Sequence, residues 1–599
     1  MDDSAWRKGG FAAVKTIVHY MKMRLGRIGL SVSVKLLASV LELLIPYILE
    51  HIIDRVVPGG RVGPVVGWGA LMVVVALLVR QTNIFANMTA VSVSRDCIER
   101  LRQDLFVRTA HLSGSQTDEF TLPSLISRMT SDSYNVQNFI TATQTIGIRA
   151  PILLVGGIAL TLTMDPVLAS ILCVMAPVLL CVVVFVSRKG VPLYDNVQQQ
   201  MDAIVRVMRE NITGIRVVKA LSKTDYEKRR FRETNDGLTR SDLKASIIMA
   251  IPGPSVQLCL NIGLVLVVIL GAHRVNAGQS DPGVILAFLT YFTIILNSVM
   301  GLNRIFMLLS KASASADRIG RVLETGDDQP VEPLTEERES GSGAFLEFDH
   351  VSFTHLSTAP EAAASSFAGG QRAKCLDDVS FTLGKGETLG IIGATGSGKS
   401  TIINLLMRFY DAQEGTVYVD GRDVRTYGKQ ELRRRFGVVF QNDSIFAESL
   451  ADNISLGRDL SREDIARAAE DAMAAPFIAE KPGGYDYVAD IKGANLSGGQ
   501  KQRVLISRAL AARPEILILD DATSALDYAT DARLRQSLRT KYAGTTSVIV
   551  AQRVSSLISA NKILVLDEGR VLDCGSHDEL LERCEAYRDI YHSQMGELA

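Results

Sequence analysis

Lys399 and Ser400 close the run Gly393-Ala394-Thr395-Gly396-Ser397-Gly398-Lys399-Ser400, an arrangement suited to holding phosphate. The apolar stretch Thr388–Ile392 before it reads as a buried strand, and Thr401–Phe409 after it as a helix. A glycine-rich turn between strand and helix lets backbone N–H groups point at an anion, and the helix N-terminus adds a favourable dipole. In that setting Lys399 reaches the β- and γ-phosphates of a nucleotide and the Ser400 hydroxyl ligates Mg2+. The candidate phosphate set is therefore Gly393, Thr395, Gly396, Ser397, Gly398, Lys399, Ser400 and Thr401. A second apolar run, Glu515–Leu519, ends in Asp520, a carboxylate placed to hold the same cation through water. Between the two lies Leu496-Ser497-Gly498-Gly499-Gln500, ahead of a helix starting near Lys501. A Ser and two Gly at a helix N-terminus make another anion cradle. One nucleotide does not need two cradles in one domain, so Ser497, Gly498, Gly499 and Gln500 are expected to serve a nucleotide held by another such domain.

These motifs need an α/β platform, and only the second half of the chain offers one. Of 599 residues, 47% are hydrophobic and 22% charged, an average over two unlike halves. The first ~310 residues hold nearly all the long apolar runs, while the last ~260 read as a soluble α/β protein. A net charge of −1 gives no reason to expect nucleic acid as a partner. The seven Cys show no metal-ligand spacing and read as reduced packing residues.

A spanning helix needs roughly 20 mostly apolar residues. Six runs qualify: Leu30–Ile53, Val62–Ala86, Phe139–Thr163, Pro166–Val186, Ile247–Gly271 and Gly283–Leu309. Short loops join them in pairs, and two long polar segments, about Asn87–Asn138 and Ser187–Ser246, separate the pairs. The second of these is rich in base, including Arg206, Arg209, Arg216, Lys219, Lys223 and Lys228, whereas the short loops carry only Arg55, Arg61 and Arg274. This bias puts the long segments, the N-terminus and the soluble half in the cytosol. Residues 1–27 lack a cleavable signal pattern and read as an interfacial helix bearing Trp6, Phe11, Val14, Ile17, Val18 and Met21. The organisation expected is residues 1–27 interfacial, 28–325 transmembrane, 326–343 a polar linker and 344–599 nucleotide-binding. The fold class expected is an α-helical transmembrane domain of six spans with long cytosolic extensions plus an α/β phosphate-loop ATPase domain.

Each long segment breaks near its middle, at Ser113-Gly114-Ser115 and at Ser222-Lys223-Thr224-Asp225. Helices that descend, turn and return would set a short helix at the bottom of each, against a soluble domain. Ionisable residues inside spans are costly. Arg80, Arg149 and Arg304 fall near span ends, where their stems can snorkel to the headgroups. Lys35 and Glu42 share one face of the first span; they either line a polar translocation cavity or pair with each other or with a second chain.

The order of phosphate loop, Gln441, Leu-Ser-Gly-Gly-Gln, Asp520 and Ser524-Ala525-Leu526-Asp527 resembles the ATPase domain of ABC transporters. The six spans with cytosolic extensions resemble the membrane domain of the family's exporters, so the resemblance covers nearly the whole chain. It implies two half-transporters side by side with two ATPs shared head-to-tail, each touching the phosphate loop of one domain and the signature of the other. Gln441 would sense Mg2+ and the attacking water and face the cytosolic hairpins. The cofactors implied are ATP and Mg2+. The surroundings implied are a lipid bilayer, with a bacterial plasma membrane the expectation, and the cargo a small amphipathic drug, lipid or peptide.

Three positions depart from the family pattern. Asp521 stands where competent sites have the Glu base; it is one methylene, about 1.5 Å, shorter. Gln552 stands in place of the switch histidine and can hydrogen-bond a phosphate but carries no cationic proton. His355 stands for the tyrosine that stacks on adenine, followed by an Ala/Ser/Gly-rich insertion, Leu356–Ala373. Asp521 and Gln552 both blunt the site on this chain's own phosphate loop, while the signature is intact. That pattern predicts a heterodimer with a second, non-identical half-transporter carrying Glu and His. The alternatives are a homodimeric exporter, an importer on the exporter fold and an ATP-gated regulatory subunit.

Overall fold

The computed structural model describes residues 15–335, 339, 341–355 and 374–595. The insertion Leu356–Ala373 and the N-terminal residues Trp6, Phe11 and Val14 lie outside the described residues. The chain forms two compact units, Met1–Ala110 with Pro123–Thr325, and His111–Leu122 with Gly326–Ala599.

The first unit is helical. In chain order its elements are α1 (Leu25–His51), α2 (Val62–Ala110), then, after the small α3 (Gly114–Phe120) of the other unit, α4 (Leu122–Ser127), α5 (Ser133–Met164), α6 (Pro166–Thr213), α7 (Ile215–Ala220), α8 (Thr224–Ala250), α9 (Pro252–Asn276) and α10 (Pro282–Glu324). Among the described residues, six helical stretches are long and apolar enough to cross a membrane: Leu25–Gly59, Val62–Ala110, Leu122–Met164, Pro166–Thr213, Thr224–Asn276 and Pro282–Glu324. Each contains one of the expected apolar runs. At up to 53 residues they far exceed the roughly 20 that a bilayer needs, so the polar remainder continues each span as a helix.

Their tight outer turns follow from local chemistry. Asp165 caps α6, accepting from the Val167 and Leu168 N–H groups at 2.9 and 3.2 Å, with Pro166 at the first helical position. The same carboxylate accepts from Arg274 at 2.9 Å and ties two outer turns together. Packing inside the unit centres on Leu153, Leu172, Phe288, Phe292 and Ile295. Gly263 lets the Phe292 ring lie directly on the α9 backbone, since a Cβ there would overlap the ring.

The expected breaks appear as capping and turn residues. Ser113 forms a capping box with Gln116 at the start of α3. Ser222 and Lys223 separate α7 from α8, with Ser222 at φ 53. The short helix α3 groups with the ATPase unit rather than with the membrane unit assigned to residues 28–325. Gly114 N–H donates to Phe409 O at 3.0 Å, and Tyr410 Oη donates to Asp118 at 2.7 Å. A Cβ at Gly114 would sit 2.7 Å from that carbonyl, so only glycine permits the approach. The second turn differs: Ile212, Ile215, Val217 and Leu221 around α7 are exposed.

The ATPase unit has two sheets. Strands β1 (Leu346–Phe353), β2 (Leu376–Leu383), β4 (Glu414–Val419) and β5 (Arg422–Asp423) form an antiparallel sheet in the order β2-β1-β4-β5. The other has the order β10-β9-β3-β8-β7-β6, from β3 (Thr388–Gly393), β6 (Phe436–Val439), β7 (Ile516–Asp520), β8 (Thr546–Val550), β9 (Lys562–Asp567) and β10 (Arg570–Gly575). All its pairings are parallel except β10 with β9. Helices α11 (Lys399–Leu406) and α12 (Lys429–Arg434) follow β3 and β5. Next come α13 (Leu450–Ser455), α14 (Arg462–Asp471), α15 (Ala475–Ala479) and α16 (Gly498–Ala511), which share one apolar cluster. The order closes with α17 (Tyr528–Lys541), α18 (His577–Arg583) and α19 (Glu585–Met595). Buried Arg408 locks the linker down, donating to Pro330 O at 2.8 Å and to the Arg425 and Tyr427 carbonyls.

Candidate nucleotide-binding site

The parallel register decides which residues meet. Ile391 of β3 lies beside Val550 of β8, and Val550 lies beside Asp520 of β7. Three adjacent strands therefore end together, and the segments leaving them share one crevice at their carboxyl ends, where open α/β sheets bind ligands. From β3 comes the phosphate loop, from β8 Gln552, from β7 Asp520 and Asp521, and from neighbouring β6 Gln441.

The crevice encloses about 210 Å³ and is lined by Thr395, Gly396, Gly398, Lys399, Ser400, Thr401, Gln441, Asp520, Asp521 and Gln552, with Cys375 at its wall. Gly396 and Gly398 adopt φ 89 and 98, a backbone that side chains rarely tolerate. At Gly393 a Cβ would collide with Leu566 O, so the loop can leave β3 only from glycine. Lys399 Nζ donates to the carbonyls of Gly393 and Ala394 at 2.9 and 2.6 Å and lies 3.5 Å from Ser397 Oγ. Burial lowers its pKa, opposed by Asp520 and Asp521. A desolvated ammonium held by loop carbonyls is ready to exchange them for phosphate oxygens.

Ser400 Oγ donates to Asp520 Oδ2 at 3.2 Å. Burial raises the Asp520 carboxyl above the usual range, while Ser400, Lys399 and the Gln441 backbone N–H oppose that rise. Burial likewise raises Asp521, against the pull of Ser524, Arg553 and Lys399. Two desolvated carboxylates beside a hydroxyl and an amide form an all-oxygen donor set, the kind that suits Mg2+ bound partly through phosphates and water. Among the described residues no cluster of three His, Cys, Asp or Glu forms a protein-only metal cage. The set therefore fits a cation that arrives with its nucleotide.

Asp521 sits at φ 51, a region Asp tolerates better than most residues. Its N–H donates to Val550 O at 2.9 Å. Gln552 is anchored from behind, its carbonyl accepting from Gln594 Nε2 at 2.7 Å.

The signature is elsewhere. Ser497 caps α16 in a capping box with Gln500, and Ser497 and Gly498 are exposed; none of Ser497, Gly498, Gly499 and Gln500 lines the crevice. Gly499 packs against the Ala525 carbonyl, 3.0 Å from where a Cβ would be. His355 also lies off the crevice lining. Its ring meets Phe353 and Tyr410 edge-on, with centroids 4.9 and 5.0 Å apart.

Sequence reasoning passed over two residues. Cys375 immediately precedes β2, and nothing in its own neighbourhood marks it as a crevice residue. Gln502 bridges α16 to the segment after β7: its amide donates to Ser524 Oγ at 3.0 Å and lies 3.4 Å from Asp521 O, and it accepts from Ala525 N–H at 2.9 Å. The only sequence signal was its place two residues beyond the signature.

Comparison with known proteins agrees with this geometry. Residues 28–299 match the ABC transporter transmembrane region and residues 376–524 the ABC transporter family. The chain is 34% identical to the ABC transporter ATP-binding protein YfiB of Bacillus subtilis, over 95% of this chain and 96% of that one. It is 30% identical to the ATP-dependent lipid A-core flippase of Vibrio vulnificus, over 100% of this chain and 99% of that one. The solved structure of a bacterial Atm1-family ABC exporter with ATP bound superposes with a TM-score of 0.78 at 24% identity, covering 95% of this chain and 99% of that chain. The protein is thus an integral membrane protein with a cytosolic ATPase domain, and it belongs to the ABC transporter family, its membrane domain of the exporter fold fused to an ATPase domain in which hydrolysis of ATP is coupled to transport.

Proposed function

We propose that this chain is the degenerate-site half of a heterodimeric ABC exporter that moves an amphipathic drug, lipid or peptide out of a bacterial cytosol or inner leaflet. The observation that carries the reading is that Asp521 and Gln552 line one crevice with Lys399 and Ser400, while Ser497 and Gly498 stand exposed outside it. Both altered groups act on the nucleotide held by this chain. The unaltered ones are free to act on a partner's. Resemblance to a lipid A-core flippase supports a lipid-like cargo.

In this mechanism Gly396, Gly398 and Lys399 hold the phosphates through backbone N–H groups and the ammonium. Ser400, Asp520 and Gln441 would hold Mg2+, which supplies charge neutralisation between the β- and γ-phosphates. Asp521 is the base candidate for the attacking water. Its shorter side chain withholds much of a contribution that is typically 10²–10⁴-fold, so ATP stays bound here and turns over slowly. Gln552 offers the γ-phosphate a neutral amide donor. At the partner's site, Ser497 and the backbone of Gly499 donate to the phosphates while the partner's Glu-type base works at full reach. Joining and parting of the ATPase domains moves the spans through the cytosolic turns.

The test is to purify this chain alone and together with a candidate second half-transporter, and to measure ATPase. Slow turnover alone and fast turnover together is expected. Brisk turnover by the isolated chain, abolished by Asp521→Asn, would establish a symmetric homodimer and overturn the heterodimer.

A further inference from the structure

The membrane unit contains a cavity of about 510 Å³ bounded by α1, α2 and α5, with charged groups in an otherwise largely apolar wall. Lys35 of α1 reaches into its wall and is 4% exposed. Its ammonium donates to Asn83 Oδ1 at 2.7 Å and to Asn87 Oδ1 at 3.0 Å, both on α2. Amide oxygens solvate a cation but do not neutralise it. One turn pair along α1, Glu42 accepts from Arg149 of α5 in a two-pronged pair at 3.0 and 2.6 Å. The carboxylate is thereby matched to the guanidinium, and among the described residues no carboxylate lies within ion-pair distance of Lys35. The cavity thus carries two cations and one anion, a net +1 inside a membrane domain. A charge at membrane depth is costly unless it is paired, and such a residue marks a substrate path more often than a structural contact.

The geometry points to a binding site for the anionic headgroup of an amphiphile, a phosphate or carboxylate, which takes its charge complement from Lys35 and a second donor from the exposed prong of Arg149. The amide pair of Asn83 and Asn87 fixes two of the three ammonium donors and leaves one for the ligand. Glu42 holds the guanidinium plane in place through both of its oxygens. This assignment names the cargo class for the exporter reading above and rests on it.

The experiment uses the full-length transporter, detergent-purified and delipidated, without nucleotide. Equilibrium binding is measured for three probes with one alkyl chain, dodecyl phosphate, dodecyl maltoside and dodecyltrimethylammonium, and for inorganic phosphate. Dodecyl phosphate is expected to bind at least ten-fold more tightly than the neutral and cationic probes. Lys35→Gln is expected to erase that preference and Lys35→Arg to restore it; the Arg variant guards against a folding defect. Tight binding of inorganic phosphate as well would mean a soluble anion is taken, and weak binding of it a lipid headgroup. Equal binding of all three amphiphiles, or a Lys35→Gln loss shared by all three, overturns the site. ATP-driven uptake of dodecyl phosphate into proteoliposomes is read separately. Charge-selective binding without uptake would defeat the export reading and leave the site standing; uptake without charge selectivity would do the reverse.

Discussion

The phosphate-loop crevice and the signature face belong to one folded unit, yet they are built on opposite terms. The crevice is recessed where three parallel strands end, and its charged groups are desolvated: Lys399 is pushed down, Asp520 and Asp521 up. The signature opens a helix with Ser497 and Gly498 exposed, carries no charge, and is shaped by a capping box. Two of the three departures from the family pattern, Asp521 and Gln552, fall in the crevice, the third, His355, lies off its lining, and none falls in the signature. Under the heterodimer proposal, a recessed site is an acceptor whose side chains meet one nucleotide, so the shorter carboxylate of Asp521 and the amide of Gln552 would act together. An exposed donor works only through a serine and glycine backbone, which leaves little to alter without losing it entirely.

Several substitutions would sharpen or break that contrast. The largest effect is expected at the donor face. Ser497→Arg in the paired transporter should cut ATPase by roughly 10²–10³-fold, the usual penalty for removing one phosphate-directed donor at a catalytic site. If turnover survives Ser497→Arg but is abolished by Lys399→Ala, the roles of the two faces are inverted. Next comes the repair of the crevice. Asp521→Glu with Gln552→His should raise ATPase of the isolated chain by roughly ten-fold or more, recovering part of the general-base term. No gain would mean that something other than reach limits this site.

A smaller effect is expected at the first cytosolic turn. Gly114→Val forces a side chain against Phe409 O, so substrate-stimulated ATPase should fall several-fold relative to unstimulated ATPase. The matching change on the second turn, Val217→Asp, falls on an exposed side chain and should act chiefly in the assembled transporter. The smallest effect is on stability. Burial raises the Asp521 carboxyl above its ordinary value near 3.8, so the folded state disfavours its ionised form. Asp521→Asn should therefore raise the melting temperature at pH 7. The gain should shrink as pH falls through the raised value and vanish below about 3.8, where the wild-type carboxyl is protonated in both states.

Much of this was readable beforehand because it depends on spacing. Apolar runs of fixed length gave the six spans, and Gly393–Ser400 and Ser497–Gln500 marked the loop after β3 and the capped start of α16. The breaks at Ser113 and Ser222 were legible because capping and left-handed turns prefer such residues. Contacts set by tertiary packing were not. Arg149 reads as a snorkelling residue, yet it forms a two-pronged pair with Glu42 across 107 positions of sequence. Lys35 finds amides on α2 rather than the carboxylate seven residues away on its own helix. His355 meets Tyr410 edge-on, a contact made by a strand end and a distant loop that no local pattern encodes. Docking of α3 on the ATPase unit likewise depends on Phe409 and Tyr410, nearly 300 residues on.

The bridge made by Gln502 has a kinetic consequence. One side chain grips the helix that lends the signature and the segment that carries Asp521. A small rotation of either must tug the other. In the proposed heterodimer, a nucleotide that lingers in this chain's pocket would thereby set the timing of the partner's, and the sluggish half would become the machine's clock rather than its dead weight.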